Sequence, residues 1–368
     1  MSKLYFVIRP SLSSLSLLFA SISILFNLSP SLPFVNGQIN YLFETNDYIL
    51  KNDVFLFQQY IHNHNKSYWD DFPEKLKRFK IFQENLIKIK MLNLNEQGSA
   101  VYGITEFADL TYEEFTEKYL GFRSELYTAP EPNNNIDPYD DVIETESLPE
   151  SFDWRDVNGV VSPVKNQEMC GSCWAFSATG NIEGVWAIRR NESVSLSEQE
   201  LVDCDKLDNG CGGGLPTNAF KTVLNLGGIE SEKDYPYDAK DEKCHFNLSE
   251  SHVRIDSYKE LPKNEKSIQQ YLYRNGPISI GINANAMQFY FGGISHPPHW
   301  LCNPNNLDHG VLIVGYGVGK TRILHQTQPY WIIKNSWGRT WGEKGYYRVY
   351  RGDNTCGLNQ MASSAVIF

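Results

Sequence analysis

Seven cysteines occur in this chain of 368 residues, and all of them fall between Cys170 and Cys356. That count binds the second part of the chain more tightly than any other feature. Upstream, Lys3 and Arg9 precede an apolar, Ser-interrupted stretch from Leu12 to Leu28. Val35–Asn36–Gly37 then offers small residues for cleavage. Residues 1–37 therefore read as a secretory signal peptide, the polar interruptions arguing against an uncleaved anchor. In an oxidising lumen six of the seven cysteines (Cys170, Cys173, Cys204, Cys211, Cys244, Cys302, Cys356) can pair and one thiol is left. Many pairings are open from sequence alone, and Cys173 has the best context for a reactive thiol.

That context is the run Gln167–Glu168–Met169–Cys170–Gly171–Ser172–Cys173–Trp174–Ala175–Phe176. Cys173 to Arg190 reads as one helix, with Ser172 as its N-cap. A thiol at a helix N-terminus beside an imidazole is expected to ionise easily, and His309 is the candidate partner. The thiolate attacks a carbonyl and His309 hands its proton to the leaving amine. Asn335 would orient the ring through its other nitrogen, with Trp337 shielding that bond. The Gln167 side chain and the Cys173 backbone N–H would stabilise the oxyanion.

Between Phe72 and Asn93, the residues Glu74, Arg78, Phe82, Asn85, Ile89 and Asn93 advance by four, four, three, four and four. At about 3.6 residues per turn they share one helix face. Glu74 and Arg78 can pair, and Phe82 and Ile89 supply an apolar stripe. A shorter helix is expected around Asp53 to Asn63. Thr111 with Glu114 reads as a capping box for another after Gly103–Ile104–Thr105–Glu106–Phe107–Ala108–Asp109–Leu110. A helical module thus occupies about 45–120. Leu126 to Ser147 is rich in Pro, Asn and acid and reads as an extended linker, with the boundary near Leu148. The last third turns to strand-like runs at Ile278–Ile282, His309–Tyr316, Tyr330–Lys334 and Gly345–Val349. Helices first and strands later give an α+β class with a cleft between.

Gln167 with Cys170–Phe176, Leu307–Asp308–His309–Gly310, and Lys334–Asn335–Ser336–Trp337–Gly338 together resemble papain-family cysteine proteases. The resemblance implies a papain-like two-lobed fold, with a helical left lobe and a β-barrel-like right lobe, behind an N-terminal helical pro-region. It implies an inhibitory pro-region over 38–147, with an I29-type module at about 45–120, and a peptidase domain over 148–368. Glu74, Arg78, Phe82, Asn85, Ile89 and Asn93 resemble the family's pro-helix motif, and Gly103, Phe107 and Asp109 its second. The bridges implied are Cys170–Cys211, Cys204–Cys244 and Cys302–Cys356. Gly213, Gly214, Leu215, Pro216, Gly281, Leu307 and Met361 are implied as substrate-binding. Their apolar character, with Met361 where an acid would greet arginine, points to Leu, Val or Phe at P2. Gly213–Ala219, Thr105 and Met361–Val366 look like cathepsin F-type members, whereas Ile89 and Asn93 look like cathepsin L-type ones. No cofactor or metal is implied. Protein and peptide substrates, the chain's own pro-region, and cystatin-type inhibitors are the expected partners of a monomer.

Three departures stand out: Glu168 in place of the usual Gly, Gly212 in place of Asn, and a long segment from Gly317 to Pro329. Activity is expected to survive them, because no catalytic group is lost. Other readings fit less well. Cys170-x-x-Cys173 as a redox pair lacks βαβ context, and zinc lacks a second ligand block. His296–Pro297–Pro298–His299 lies in the wrong region for an occluding loop and reads as a solvated turn. A net charge of −11 without a dense basic block argues against nucleic acid. Asn65, Asn191 and Asn247 begin N-x-Ser sequons, in keeping with passage to a lysosome or out of the cell.

Overall fold

The computed structural model describes residues 50–128, 147–322 and 325–368. The signal-peptide reading and most of the expected linker lie outside them. Two compact units divide at Gln59 and Tyr60. Residues 50–59 of the first are helical, in a helix that runs to 63. The second unit holds all the other described elements, and no helix among the described residues is long and apolar enough to cross a membrane.

The long helix Phe72–Asn95 starts where Asp71 accepts from the Glu74 N–H and Pro73 occupies the first turn. Its motif face is the buried one. Phe82, Asn85 and Ile89 are sealed, and Asn85 donates to the carbonyls of Ala108 (2.9 Å) and Leu110 (2.8 Å). Asn93 donates to the Tyr102 carbonyl at 2.8 Å and accepts from its N–H. Arg78 joins Glu74 (2.6 Å), Glu114 (2.7 Å) and the Asp109 carbonyl (3.0 Å). Asp109 in turn accepts from Tyr60, Lys66 and Tyr68. The helix Tyr112–Tyr119 opens with both halves of the Thr111–Glu114 capping box in place.

The helix Cys173–Arg190 is buried on most of its circumference. One side packs with Phe220, Val223 and Leu201 in a helical lobe. The other meets the main sheet, where Ser177 donates to the Val311 carbonyl (2.7 Å) and Ser279 to the Ser177 carbonyl (2.7 Å). In that eight-stranded sheet Ser257–Glu260, Ala362–Val366, Ile278–Ile282, His309–Lys320, Thr327–Lys334, Tyr346–Tyr350 and Ile294–Ser295 are neighbours in that order, and Phe152–Asp153 pairs with His309–Lys320. All pairings are antiparallel except the last of the series. The segment Gly317–Pro329 is less of a loop than expected: His309–Lys320 and Thr327–Lys334 stay paired out to Lys320 and Thr327. Ile89, Leu92, Phe107 and Phe115 share one core with Met287, Phe289, Trp337 and Trp341, so the residues before and after 129–146 fold on a common interior.

Candidate active site

His309 opens its strand and Asn335 follows the neighbouring one, whose register pairs Lys334 with Leu312. That register brings the two side chains together: His309 Nε2 lies 2.7 Å from Asn335 Oδ1. A carbonyl oxygen requires Nε2–H as donor, which leaves Nδ1 with the lone pair. The Trp337 ring stacks on the imidazole at 4.6 Å, and Trp331 and Trp341 are buried in the core. Gln167 is fixed from both ends, since its N–H donates to the Ser336 carbonyl (2.8 Å) and its Oε1 accepts from the Ser336 hydroxyl (2.7 Å). Ser336 stands in the sequence only as one member of a motif, yet it aims the Gln167 amide.

Cys173 begins its helix as expected, but Ser172 does not cap it. The Ser172 hydroxyl is turned to the Tyr237 hydroxyl at 2.7 Å, and its backbone is not in a capping conformation. The other six cysteines are bridged as Cys170–Cys211, Cys204–Cys244 and Cys302–Cys356, and Cys173 is the free thiol. The resolving thiol of a redox pair is therefore consumed.

Residues 119–123, which begin at the last residue of the helix Tyr112–Tyr119, lie across these groups. The Gly121 N–H donates to Cys173 Sγ at 3.2 Å, as does Gly310 N–H. The Gln167 amide donates to the Tyr119 carbonyl at 3.0 Å and to that of Cys170 at 2.8 Å. Sulfur and oxyanion donor thus address two different peptide groups of the covering segment. Phe122 pairs in parallel with Gly214: Gly214 N–H donates to the Gly121 carbonyl (2.8 Å) and Arg123 N–H to that of Gly214 (3.1 Å). The Phe122 ring packs with Leu215, Leu307 and Met361 and fills the space over Gly281, where a Cβ would meet it at 2.5 Å. Arg123 crowds Gly213, and Pro216 lines the adjoining cavity. All seven expected substrate-binding residues thus surround 122–127. Burying a phenylalanine contributes about 2–3 kcal/mol, so Phe122 is a main anchor of the segment. Nothing in the sequence marked Tyr119, Gly121 or Phe122, because they belong to neither pro-region motif.

The covering segment also changes the charge state expected from the sequence. Burial pushes the Cys173 thiol up to about 11, against the hydrogen bonds from Gly310 and Gly121. Burial likewise lowers His309 to about 4, against the bond to Asn335. His309 Nδ1 has no hydrogen-bond partner among the described residues. Both shifts favour a neutral thiol and a neutral imidazole in this state. Burial disfavours the ion pair expected from the sequence, because it penalises both charged forms.

Glu168, the first departure, is exposed and holds a left-handed backbone with φ 54°. A residue without a Cβ would adopt that conformation freely, which gives the usual Gly a physical reason. Gly212 accepts from Arg123 through its carbonyl. His296 is not a solvated residue: it stacks on Tyr350 at 4.0 Å and pairs with Asp353 at 2.9 Å, while His299 is exposed. Asn65, Asn191 and Asn247 are all exposed. Sequence reasoning also missed Glu260, which the sheet brings to the cavity beside Met361.

Residues 148–366 match the family model of the papain family cysteine proteases, and residues 57–115 match that of the cathepsin propeptide inhibitor domain (I29). The chain belongs to the papain family of cysteine proteases. Within it, the chain is 55% identical to a cathepsin F of Drosophila melanogaster over 80% of its own length and 47% of the relative's. It is 46% identical to a cathepsin F of Mus musculus over 85% of its own length and 64% of the relative's. The chain thus spans about half to two thirds of these two relatives. Among solved structures, digestive procathepsin L 3 of the Tenebrio molitor larval midgut aligns with a TM-score of 0.71 at 36% identity, covering 86% of this chain and 99% of that one. The α+β expectation, with a helical pro-region ahead of a papain-like fold, agrees with that neighbour.

Proposed function

We propose that this chain is the zymogen of a cysteine endopeptidase that cuts peptide bonds with Cys173 as nucleophile. His309 Nδ1 takes the thiol proton, and the sulfur attacks the substrate carbonyl carbon. The resulting oxyanion is held by the Gln167 amide and the Cys173 backbone N–H. His309 then protonates the leaving amine, and water, deprotonated by the same ring, hydrolyses the thioester. Asn335 holds Nε2, which leaves Nδ1 as the ring nitrogen free to serve the sulfur. Leu215, Pro216, Gly281, Leu307 and Met361 receive the P2 side chain, and Gly213 and Gly214 pair with the substrate backbone.

One observation carries this reading: the pro-region's Tyr119 carbonyl already occupies the Gln167 amide while Gly121 N–H caps the Cys173 sulfur. A segment that fills a catalytic groove in this way is an inhibitor of that groove. The chain is read as a signal peptide over 1–37, a pro-region over 38–147 and an enzyme over 148–368. It acts as a monomer without cofactor in a lysosome or outside the cell, is glycosylated at Asn65, Asn191 and Asn247, and is open to cystatin-type inhibitors once processed. The test is to process the protein and incubate it with a peptide library under reducing, mildly acidic conditions. Cleavage after residues that follow an apolar P2, lost in Cys173→Ala, is expected. A Cys173→Ala protein as active as the parent would refute the assignment.

A further inference from the structure

A cavity of about 210 Å³ continues past the pocket that holds Phe122. Phe122, Leu215 and Met361 line it together with Tyr127, Glu260 and Lys263. Glu260 ends the strand Ser257–Glu260 and pairs with Ser363, two residues beyond Met361, so the sheet carries its carboxylate to the pocket from far earlier in the chain. Judged from Met361 alone, the pocket has no acid.

The carboxylate is already in use by the pro-region. The Tyr127 hydroxyl donates to Glu260 Oε2 at 2.8 Å. Glu260 Oε1 is buried without a hydrogen-bond partner among the described residues. Once the pro-region departs, Phe122 and Tyr127 leave together. The emptied space is lined by Leu215 and Met361 and carries the Glu260 carboxylate as a hydrogen-bond acceptor. Lys263 lines the same cavity, and the donor that the pro-region presents to the carboxylate is a neutral hydroxyl.

We propose that Glu260 is a specificity-determining residue for P2, and that it selects tyrosine by accepting a hydrogen bond from the phenolic hydroxyl. This rests on the protease reading above. A tyrosine ring takes the place of Phe122 against Leu215 and Met361, and its hydroxyl extends toward Glu260 where that of Tyr127 now sits.

The experiment uses the full-length chain after processing and two peptides that differ only by Tyr or Phe at P2. The kcat/KM ratio of Tyr over Phe is measured for the parent, Glu260→Leu and Glu260→Gln. Hydrogen bonds to charged groups discriminate by about tenfold or more. The parent should therefore favour Tyr by about that factor, Glu260→Leu should lose the preference, and Glu260→Gln should keep part of it. Each ratio is internal to one protein, so loss of folded enzyme cancels, and Glu260→Gln serves if Glu260→Leu does not fold. Equal ratios in the parent and either variant overturn the inference while leaving the protease standing. A parent that cleaves neither peptide overturns the protease reading and this inference with it.

Discussion

The Gln167 side-chain amide donates to the carbonyl of Tyr119 at 3.0 Å, so the donor proposed for catalysis is also a clasp for the pro-region. Gln167→Ala should act twice. In the processed enzyme, loss of one oxyanion donor lowers kcat by about 10²–10³ with little change in KM. In the zymogen it weakens the hold of the pro-region, measured as a higher Ki of the isolated pro-peptide. A variant with normal kcat would remove Gln167 from the catalytic set. Asn335→Ala, which frees the His309 ring, should cost on the order of 10² in kcat and leave pro-region binding untouched.

The buried pair predicts a slow zymogen thiol. With Cys173 pushed up to about 11, roughly one thiol in ten thousand is ionised near neutrality. His309, lowered to about 4, offers no charge to help above that pH. Alkylation by iodoacetamide should be slow in the zymogen and rise by orders of magnitude on processing, when water and the ion pair return. Equal rates before and after processing would contradict the neutral-pair description.

Gly121 permits the closest approach in the groove, for a Cβ there would lie 1.7 Å from the Gly171 carbonyl oxygen. Overpacking of this kind typically costs about 1–3 kcal/mol. Gly121→Ala should therefore loosen inhibition by about ten- to a hundredfold, read as peptide hydrolysis by unprocessed protein. A zymogen as silent as the parent would show that the segment shifts without penalty.

Acid should act on the interior of the pro-region. Partial burial raises the Glu114 carboxyl, but the hydrogen bond and charge of Arg78 prevail and hold it below the usual value. A depressed carboxyl stabilises above its free value and loses that contribution as pH falls through the bound one. The Arg78–Glu114 contact therefore weakens progressively as pH falls below the free carboxylate value. Asp308 works the other way. Burial pushes it up to about 6, against the Ala284 N–H and the Tyr112 hydroxyl, so it takes up a proton on mild acidification, before Glu114 does. Glu114→Gln should let processing begin at higher pH, checked by following conversion between about pH 3 and 6. Coincident profiles would place the acid trigger elsewhere.

The local rules were legible where a residue type decides the backbone. The spacing of Glu74 to Asn93 located the buried face of Phe72–Asn95, and the Thr111–Glu114 pair set the start of Tyr112–Tyr119. Cys173–Arg190 has the bounds expected from the pattern. Ser172 failed as a cap because a tertiary partner, Tyr237, competes for its hydroxyl. Gly317–Pro329 looked like a loop because glycine and proline mask strand pairing that the neighbouring strand imposes. The neutral state of Cys173 and His309 was out of reach for a deeper reason. It depends on a covering segment, and segments such as 119–123 bind through backbone groups that every sequence carries. Glu260 was hidden likewise, since only sheet register makes it a neighbour of Met361.

The sulfur faces the Gly121 N–H while Gln167 holds the Tyr119 carbonyl, so nucleophile and oxyanion donor engage different peptide groups of the covering segment instead of one scissile bond. The first cut is therefore expected from another molecule or on chain outside 119–123. Maturation then feeds on its own product. Its time course should show a lag that shortens as protein concentration rises and vanishes when a trace of processed enzyme is added.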